Sequence, residues 1–191
     1  MARWTAQEYL RPTLTVAPDL LGKYLVRVWN GQPLVGRISE TEAYIAAGDK
    51  ACHAYNYKRT PRTETMFAMG STAYIYLIYG MYACLNLVTE PEGEPCAVLI
   101  RGIQPRSDLN TFSLHRFGCS YADMSPYQRK NFLNGPGKVC QALSLTTAQN
   151  GLSLLGNELF VCICRDRQVA GNIAEAERSL TLGVGLKALT A

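Results

Sequence analysis

Apolar residues along the chain fall into short runs, and most of these runs alternate or carry β-branched and aromatic side chains. KYLVRVW (23–29) and LVGRISETEAY (34–44) flank Asn30-Gly31. Both turn residues tolerate positive φ, so the pattern predicts two antiparallel strands joined by a tight hairpin. A second hairpin is predicted from STAYIYLIYGMYACLNLV (71–88), with Tyr79-Gly80-Met81-Tyr82 at or near its tip. PEGEP (91–95) reads as a turn, CAVLIRGIQP (96–105) as a strand whose interior carries Arg101 as its single charge, and LSLLGNELFVCICR (152–165) as a final strand. Helical signals are fewer. Residues 1–22 suggest a lead-in interrupted by Pro12 and Pro18, and LNGPGKVCQALSL reads as a glycine-rich turn opening a helix. Residues 45–71 look like a loop, and residues 106–131 are polar and poorly patterned. This order predicts an α+β class: a single domain over residues 1–191, with a mainly antiparallel, curved sheet built from hairpins and flanking helices.

Composition narrows the picture modestly. A chain of 191 residues can bury a core without disulfides. Its 19 basic and 15 acidic residues give a net charge of +4, compatible with a polyanionic partner but not diagnostic of one. The seven cysteines are odd in number, none pairs as C-x-x-C, and several lie in apolar runs, so they read as reduced core thiols. The opening MARWTAQEYLRP is too polar for a signal peptide, and no apolar run approaches the ~20 residues of a membrane span. The expected location is therefore cytoplasmic, with nucleoid association in a bacterium or nuclear in a eukaryote if DNA is the partner.

The chemistry concentrates in SETEAYIAAGDKACHAYNY (39–57). Strand alternation places Ile38, Glu40, Glu42 and Tyr44 on one face, with the two carboxylates ~7 Å apart. Such a pair among apolar and aromatic neighbours can do acid–base work, although a solvated strand edge is the ordinary reading of E-x-E. His53 is one of two histidines, and with no second histidine nearby a metal site is not expected. Tyr74, Tyr76 and Ile78 share a strand face, where packing is the ordinary role, whereas an aromatic at a hairpin tip is harder to explain without something for it to bind. Asn134-Gly135-Pro136-Gly137-Lys138 could offer helix N–H groups to an anion, but it lacks P-loop spacing. A carboxylate beside aromatics, a tip tyrosine and scattered basic residues suit an enzyme that stacks a flat heterocycle, hydrolyses a bond next to it and holds phosphates.

The sequence resembles the alkyladenine (3-methyladenine, methylpurine) DNA glycosylases. The resemblance runs from LLGKYLVR (20–27) to the helix after LNGPGKVCQAL, and its most specific parts are GRISETEAY, His53 with TPR (60–62), MF (66–67), YIYLIYGMYACLN (74–86) and AVLIR (97–101). It implies excision of damaged purines from double-stranded DNA by a monomeric enzyme that needs no metal or other cofactor and leaves an abasic site without cutting the strand. Carried over position by position, Glu42 matches the general base that activates water, and Arg101 an arginine beside it and the lesion-side phosphate. Tyr44, His53 and Tyr76 match the residues around the flipped base, Asn86 the position that discriminates against guanine, and Tyr79 the side chain that fills the gap in the duplex. Lys58, Arg59, Arg62 and Lys138 are expected phosphate contacts. The resemblance gives Glu40 no catalytic role, so it is expected to be a supporting residue, paired with a basic group or bonded to backbone. GVG (183–185) looks like a late glycine-containing strand of the family. Two other readings stay open at this level: a hydrolase of free purine nucleosides, which would not need Tyr79, and a non-catalytic binder of damaged DNA, which would not need Glu42.

Overall fold

Among the residues that the computed structural model describes, 2–163, seven strands form one antiparallel sheet. They are β1 (Ala2–Arg3), β2 (Tyr24–Trp29), β3 (Gln32–Tyr44), β4 (Ala73–Ile78), β5 (Tyr82–Thr89), β6 (Cys96–Pro105) and β7 (Leu159–Ile163). Their order across the sheet is β1-β7-β2-β3-β6-β5-β4, and among the described residues the sheet does not close on itself. Five helices accompany them: α1 (Ala6–Tyr9), α2 (Thr13–Leu20), α3 (Leu109–Phe117), α4 (Pro126–Lys130) and α5 (Pro136–Ala142). The class is α+β. The predicted strand GVG (183–185) and Cys164 lie outside the described residues. None of the described helices is long and apolar enough to cross a membrane.

Local sequence explains most of the turns. Asn30 and Gly31 both take positive φ (48° and 77°), and Trp29 pairs with Gln32 directly across them. β6 spans the residues that the alternation marks out. Three expectations need correction. Pro18 lies within α2 near its end and does not interrupt it. The last strand begins at Leu159, because residues 152–158 form turns that fold back on the start of β4. Residues 106–131 contain two helices, each with its own polar start: Asp108 caps α3, and Ser125 with Gln128 forms a capping box on α4.

The two sheet faces bury different things. Val16 and Leu20 of α2, Phe112 of α3, Val139 of α5 and Leu143 just after it pack with Leu25, Leu34, Ile38, Ile75, Leu87, Val98 and Ile100 into the main core. Alternate residues of β4, β5 and β6 (Tyr74, Val88 and Ala97) face the other way. There the 45–71 segment covers them with Cys52, Ala54, Met66 and Phe67, and Tyr44 and Tyr76 pack at the margin. The segment thus makes a second, small core over one end of the sheet. Five of the six described cysteines are buried.

One irregularity changes the reading of β3. Ile38 pairs with Ile103, Glu40 with Gly102 and Thr41 with Ile100, so Ser39 and Arg101 are each left as an extra residue. The two bulges compensate each other and restore the register, but each flips the parity of its strand. Ile38 therefore belongs to the main core, while Glu42 and Tyr44 beyond the bulge point away from it and Ala43 packs against it. Strand alternation alone put Ile38 on the face of the glutamates; the bulge moves it to the opposite one.

Candidate active site

Beyond the bulge, the end of β3 delivers Glu42 and Tyr44 to the margin of the small core. The Tyr44 hydroxyl donates to Glu42 Oε2 at 2.7 Å, and Arg101 Nη1 donates to Glu42 Oε1 at 2.8 Å. Each carboxylate oxygen is thus engaged once, which fixes its plane and leaves lone pairs for a further donor such as water. Arg101 Nε donates to Glu40 Oε1 at 3.0 Å, so one guanidinium spans both carboxylates. The Glu42 carboxylate, with Glu40 adding, holds the Arg101 pKa above its usual value. Burial, and then the neighbouring Glu42, push the Tyr44 phenol up to about 12. That hydroxyl therefore stays a donor at neutral pH.

Next to this carboxylate lies a small cleft lined by Tyr44, Ala51, His53, Met66, Tyr74, Tyr76 and Asn86. Tyr74 and Tyr76 stand two residues apart on β4 with their rings 5.4 Å apart, and His53 meets Tyr76 edge-on at 4.5 Å. His53 Nδ1 and the Tyr74 hydroxyl share a hydrogen bond of 3.1 Å. Burial, then the Arg62 cation, lower the His53 pKa, so the imidazole is neutral at pH 7. Burial pushes Tyr74 up to about 12 and raises Tyr76 as well. Asn86 is buried, and its Nδ2 donates to the carbonyls of Tyr74 and Cys84 at 3.2 and 3.4 Å. Two carbonyl acceptors require the amide nitrogen on that side, which leaves Oδ1 as the atom available to the cleft.

The β4–β5 hairpin carries Tyr79 at its tip. It is 83% exposed and held at φ 53°, followed by Gly80 at φ 69°. Met81 and Tyr82 beside it are exposed too. Close to the tip of the hairpin, a Cβ on Gly137 would sit 3.0 Å from Tyr82 Cβ. The glycine of the N-G-P-G-K turn is therefore needed to let α5 approach the hairpin, a packing reason for a motif that could have been read as an anion site.

The four expected phosphate contacts stand in different surroundings. Arg62 lies over Tyr76, with its guanidinium carbon 5.0 Å from the ring centre, and so sits against one ring of the cleft wall. Arg59 is paired with Glu64 at 2.6 Å and lies over Phe67. Lys138 Nζ donates to Asn134 and Asn131 at 2.9 and 3.2 Å, neutral partners that leave its charge uncompensated. Lys58 is exposed. Glu42, Arg101, Tyr44, His53, Tyr76 and Asn86 are brought together; Tyr79 stands apart at the tip. Tyr74, Met66 and Ala51 complete the cleft without having been singled out as site residues. The i, i+2 spacing of Tyr74 and Tyr76 was the available signal for the first, the MF (66–67) match marked Met66 without giving it a role, and nothing in the pattern marks Ala51. Among the described residues, no three His, Cys, Asp or Glu side chains group as metal ligands would.

An aromatic cleft with a doubly anchored carboxylate at its edge is the equipment of a hydrolase acting on a bond beside a flat ring. The family model for methylpurine-DNA glycosylase matches residues 7–186, and the chain belongs to that family. It is thereby an enzyme of DNA repair that hydrolyses N-glycosyl bonds. Two similar proteins from Clostridium perfringens SM101 and Alkaliphilus oremlandii carry the name "Putative 3-methyladenine DNA glycosylase". The first is 52% identical over 150 residues, covering 78% of this chain and 73% of the relative. The second is 47% identical over 153 residues, covering 80% and 76%. A protein of the same name from Desulfitobacterium hafniense is 43% identical over 178 residues, covering 93% of this chain and 87% of the relative.

Proposed function

We propose that this enzyme extracts alkylated and deaminated purines, 3-methyladenine among them, from duplex DNA and hydrolyses their N-glycosidic bond with a water activated by Glu42. The observation that carries this reading is the placement of the Glu42 carboxylate, gripped by Arg101 and Tyr44, at the edge of the tyrosine-lined cleft. The basic surface captures the duplex, Tyr79 enters the stack, and the damaged nucleotide swings out, most readily where its pairing is already weak. Its purine lies among Tyr44, His53 and Tyr76. Cationic alkylated bases gain from electron-rich tyrosine faces, and a neutral His53 does not repel them. Asn86 polices the edge of the base.

As the bond from C1′ to the purine nitrogen lengthens, its electron pair moves onto the base and positive charge grows on the sugar. The carboxylate of Glu42 stabilises that charge, accepts a proton from water, and directs the oxygen to C1′. The products are the free purine and an abasic sugar, with the strand intact because no amine attacks the sugar. A base that is already cationic leaves as a neutral molecule. Hypoxanthine must first gain a proton, so its excision should slow as pH rises. The enzyme acts as a monomer in the cytoplasm, on the nucleoid in a bacterial host.

A duplex carrying one hypoxanthine, treated with enzyme and then with alkali, tests the reading. Strand scission by wild type and none by Glu42→Gln is expected. Scission without alkali would remove the intact-strand claim, and scission by Glu42→Gln equal to wild type would remove Glu42 from its role. Release of hypoxanthine from free inosine, but not from DNA, would favour a nucleoside hydrolase instead. Lesion-selective binding without any release would favour a non-catalytic reader of damage.

A further inference from the structure

Glu40 takes no part in the reaction just described, yet its placement is closely specified. It follows the extra residue of β3, Ser39, and it pairs with Gly102, which follows the extra residue of β6, Arg101. The paired bulges thereby set a carboxylate and a guanidinium side by side at one spot. Gly102 keeps that spot clear, since a Cβ there would lie 3.0 Å from Ser39 Oγ and 3.4 Å from Glu40 Cβ. Arg101 then divides its donors, Nε to Glu40 at 3.0 Å and Nη1 to Glu42 at 2.8 Å. An arginine left with one carboxylate prefers to close on it with two parallel bonds. Here the second carboxylate occupies Nε and prevents that.

We propose that Glu40 is a positioning residue for the excision reaction. It holds Arg101 side-on, so that the guanidinium orients Glu42 without closing over it, and it leaves the three groups with a net negative charge beside the sugar. Two carboxylates share one cation, and the surplus charge faces the centre that becomes positive in the transition state. Among the described residues Arg101 is the one cation in an ion pair with Glu40. On its far side an open groove is lined by Gln104, Tyr121, Arg129 and Lys130. Arg129 turns its donors to the carbonyls of Met124 and Ala122 and lies over the Tyr121 ring, and Lys130 is exposed to solvent. Facing Glu40 from its own sheet are Arg101, Glu42 and, beyond Glu42, the Tyr44 hydroxyl.

This inference rests on Glu42 being the general base, and the test separates the two. Single-turnover excision of hypoxanthine from a duplex is followed for wild type, Glu40→Gln, Glu40→Asp and Glu42→Gln, with Tm and affinity for undamaged duplex measured for each. Gln keeps an oxygen for Arg101 Nε but removes the charge. Its rate should fall ~10-fold with Tm and affinity for undamaged duplex retained, because the surplus charge acts only as the sugar becomes positive. Glu40→Asp keeps the charge and shortens the reach, so it should lose less rate than Glu40→Gln. Glu40→Gln within twofold of wild type overturns the inference while leaving Glu42 untouched. A rate loss that tracks a fallen Tm, or that is as large in Glu40→Asp as in Glu40→Gln, makes Glu40 merely structural and overturns it too. Excision by Glu42→Gln equal to wild type removes the parent reading, and this one with it.

Discussion

The Tyr44 ring lines the cleft while its hydroxyl grips Glu42 at 2.7 Å, so one side chain touches both the cleft and the carboxylate proposed to activate water. Phe keeps the ring and deletes the grip. Tyr44→Phe should leave lesion binding within twofold and lower single-turnover excision ~10-fold, the scale of a hydrogen bond to a charged group; comparing Kd with the excision rate checks the split. His53 gives a pH prediction whose sign follows from its depressed pKa. Above pH ~6.5 the imidazole is neutral in both folded and unfolded chains. As pH falls through that value the unfolded chain takes up a proton before the folded one, because burial and then Arg62 disfavour the cation. Wild-type Tm should therefore drop more between pH 7 and 5 than that of His53→Gln, by thermal melts in matched buffers. Equal slopes would show that His53 titrates alike in both states. The residue types at these positions were readable from the sequence, and the resemblance named their roles. The orientation of the Asn86 amide and the sharing of Arg101 between two carboxylates were not readable, because both depend on neighbours distant in the chain.

Elements defined by strong local chemistry follow the sequence closely. The Asn30-Gly31 turn and the span of β6 are two of these, and the hairpin tip is a third. The parity of β3 fails at Ser39, since a bulge is a property of the pair of strands and neither sequence alone announces it. The helices α3 and α4 escape a hydrophobic-period reading because they are short and present few apolar residues, and the structure shows that polar caps at Asp108 and Ser125 start them. The hairpin tip poses the opposite case, a bulky residue kept where local preference resists it. A tyrosine at φ 53° costs about 1–3 kcal/mol relative to a conformation it favours, and with 83% of its surface exposed Tyr79 recovers little by packing. Such a conflict between local preference and position is expected at functional sites. Tyr79→Gly should accordingly fold at least as stably as wild type, shifting stability by about 1 kcal/mol or less. It should also lose excision from duplex DNA ~10-fold or more, with little loss on a single-stranded lesion that needs no extrusion. Denaturant unfolding and paired duplex and single-strand assays check both halves. An equal loss on both substrates would mean that Tyr79 does not act in the stack.

At the scale of the molecule, a net charge of +4 gives little steering by itself, so DNA capture depends on which cations are free to release counterions. The structure divides the four expected contacts. Arg62 lies over Tyr76, and Arg59 is neutralised by Glu64, whereas Lys58 is exposed and Lys138 is bonded only to neutral amides. Neutralising one phosphate contributes about one unit to the slope of log K against log salt. Lys58→Ala and Lys138→Ala should therefore each flatten the salt dependence of binding to undamaged duplex by about one unit and leave single-turnover excision at saturating enzyme unchanged. Arg59→Ala should flatten it by less, since its removal also frees Glu64 to repel the backbone, and the two effects act together on affinity and not on chemistry. Arg62→Ala should behave in the opposite way. It withdraws the cation from behind Tyr76 and from beside His53, so it changes the excision rate at saturating enzyme while moving the slope least of the four. Titrations of a fluorescent undamaged duplex between 50 and 200 mM salt, run beside single-turnover assays on the same variants, read both quantities. If Arg62→Ala flattened the slope by a full unit at an unchanged excision rate, its place would be on the phosphate track and not in the wall of the base cleft.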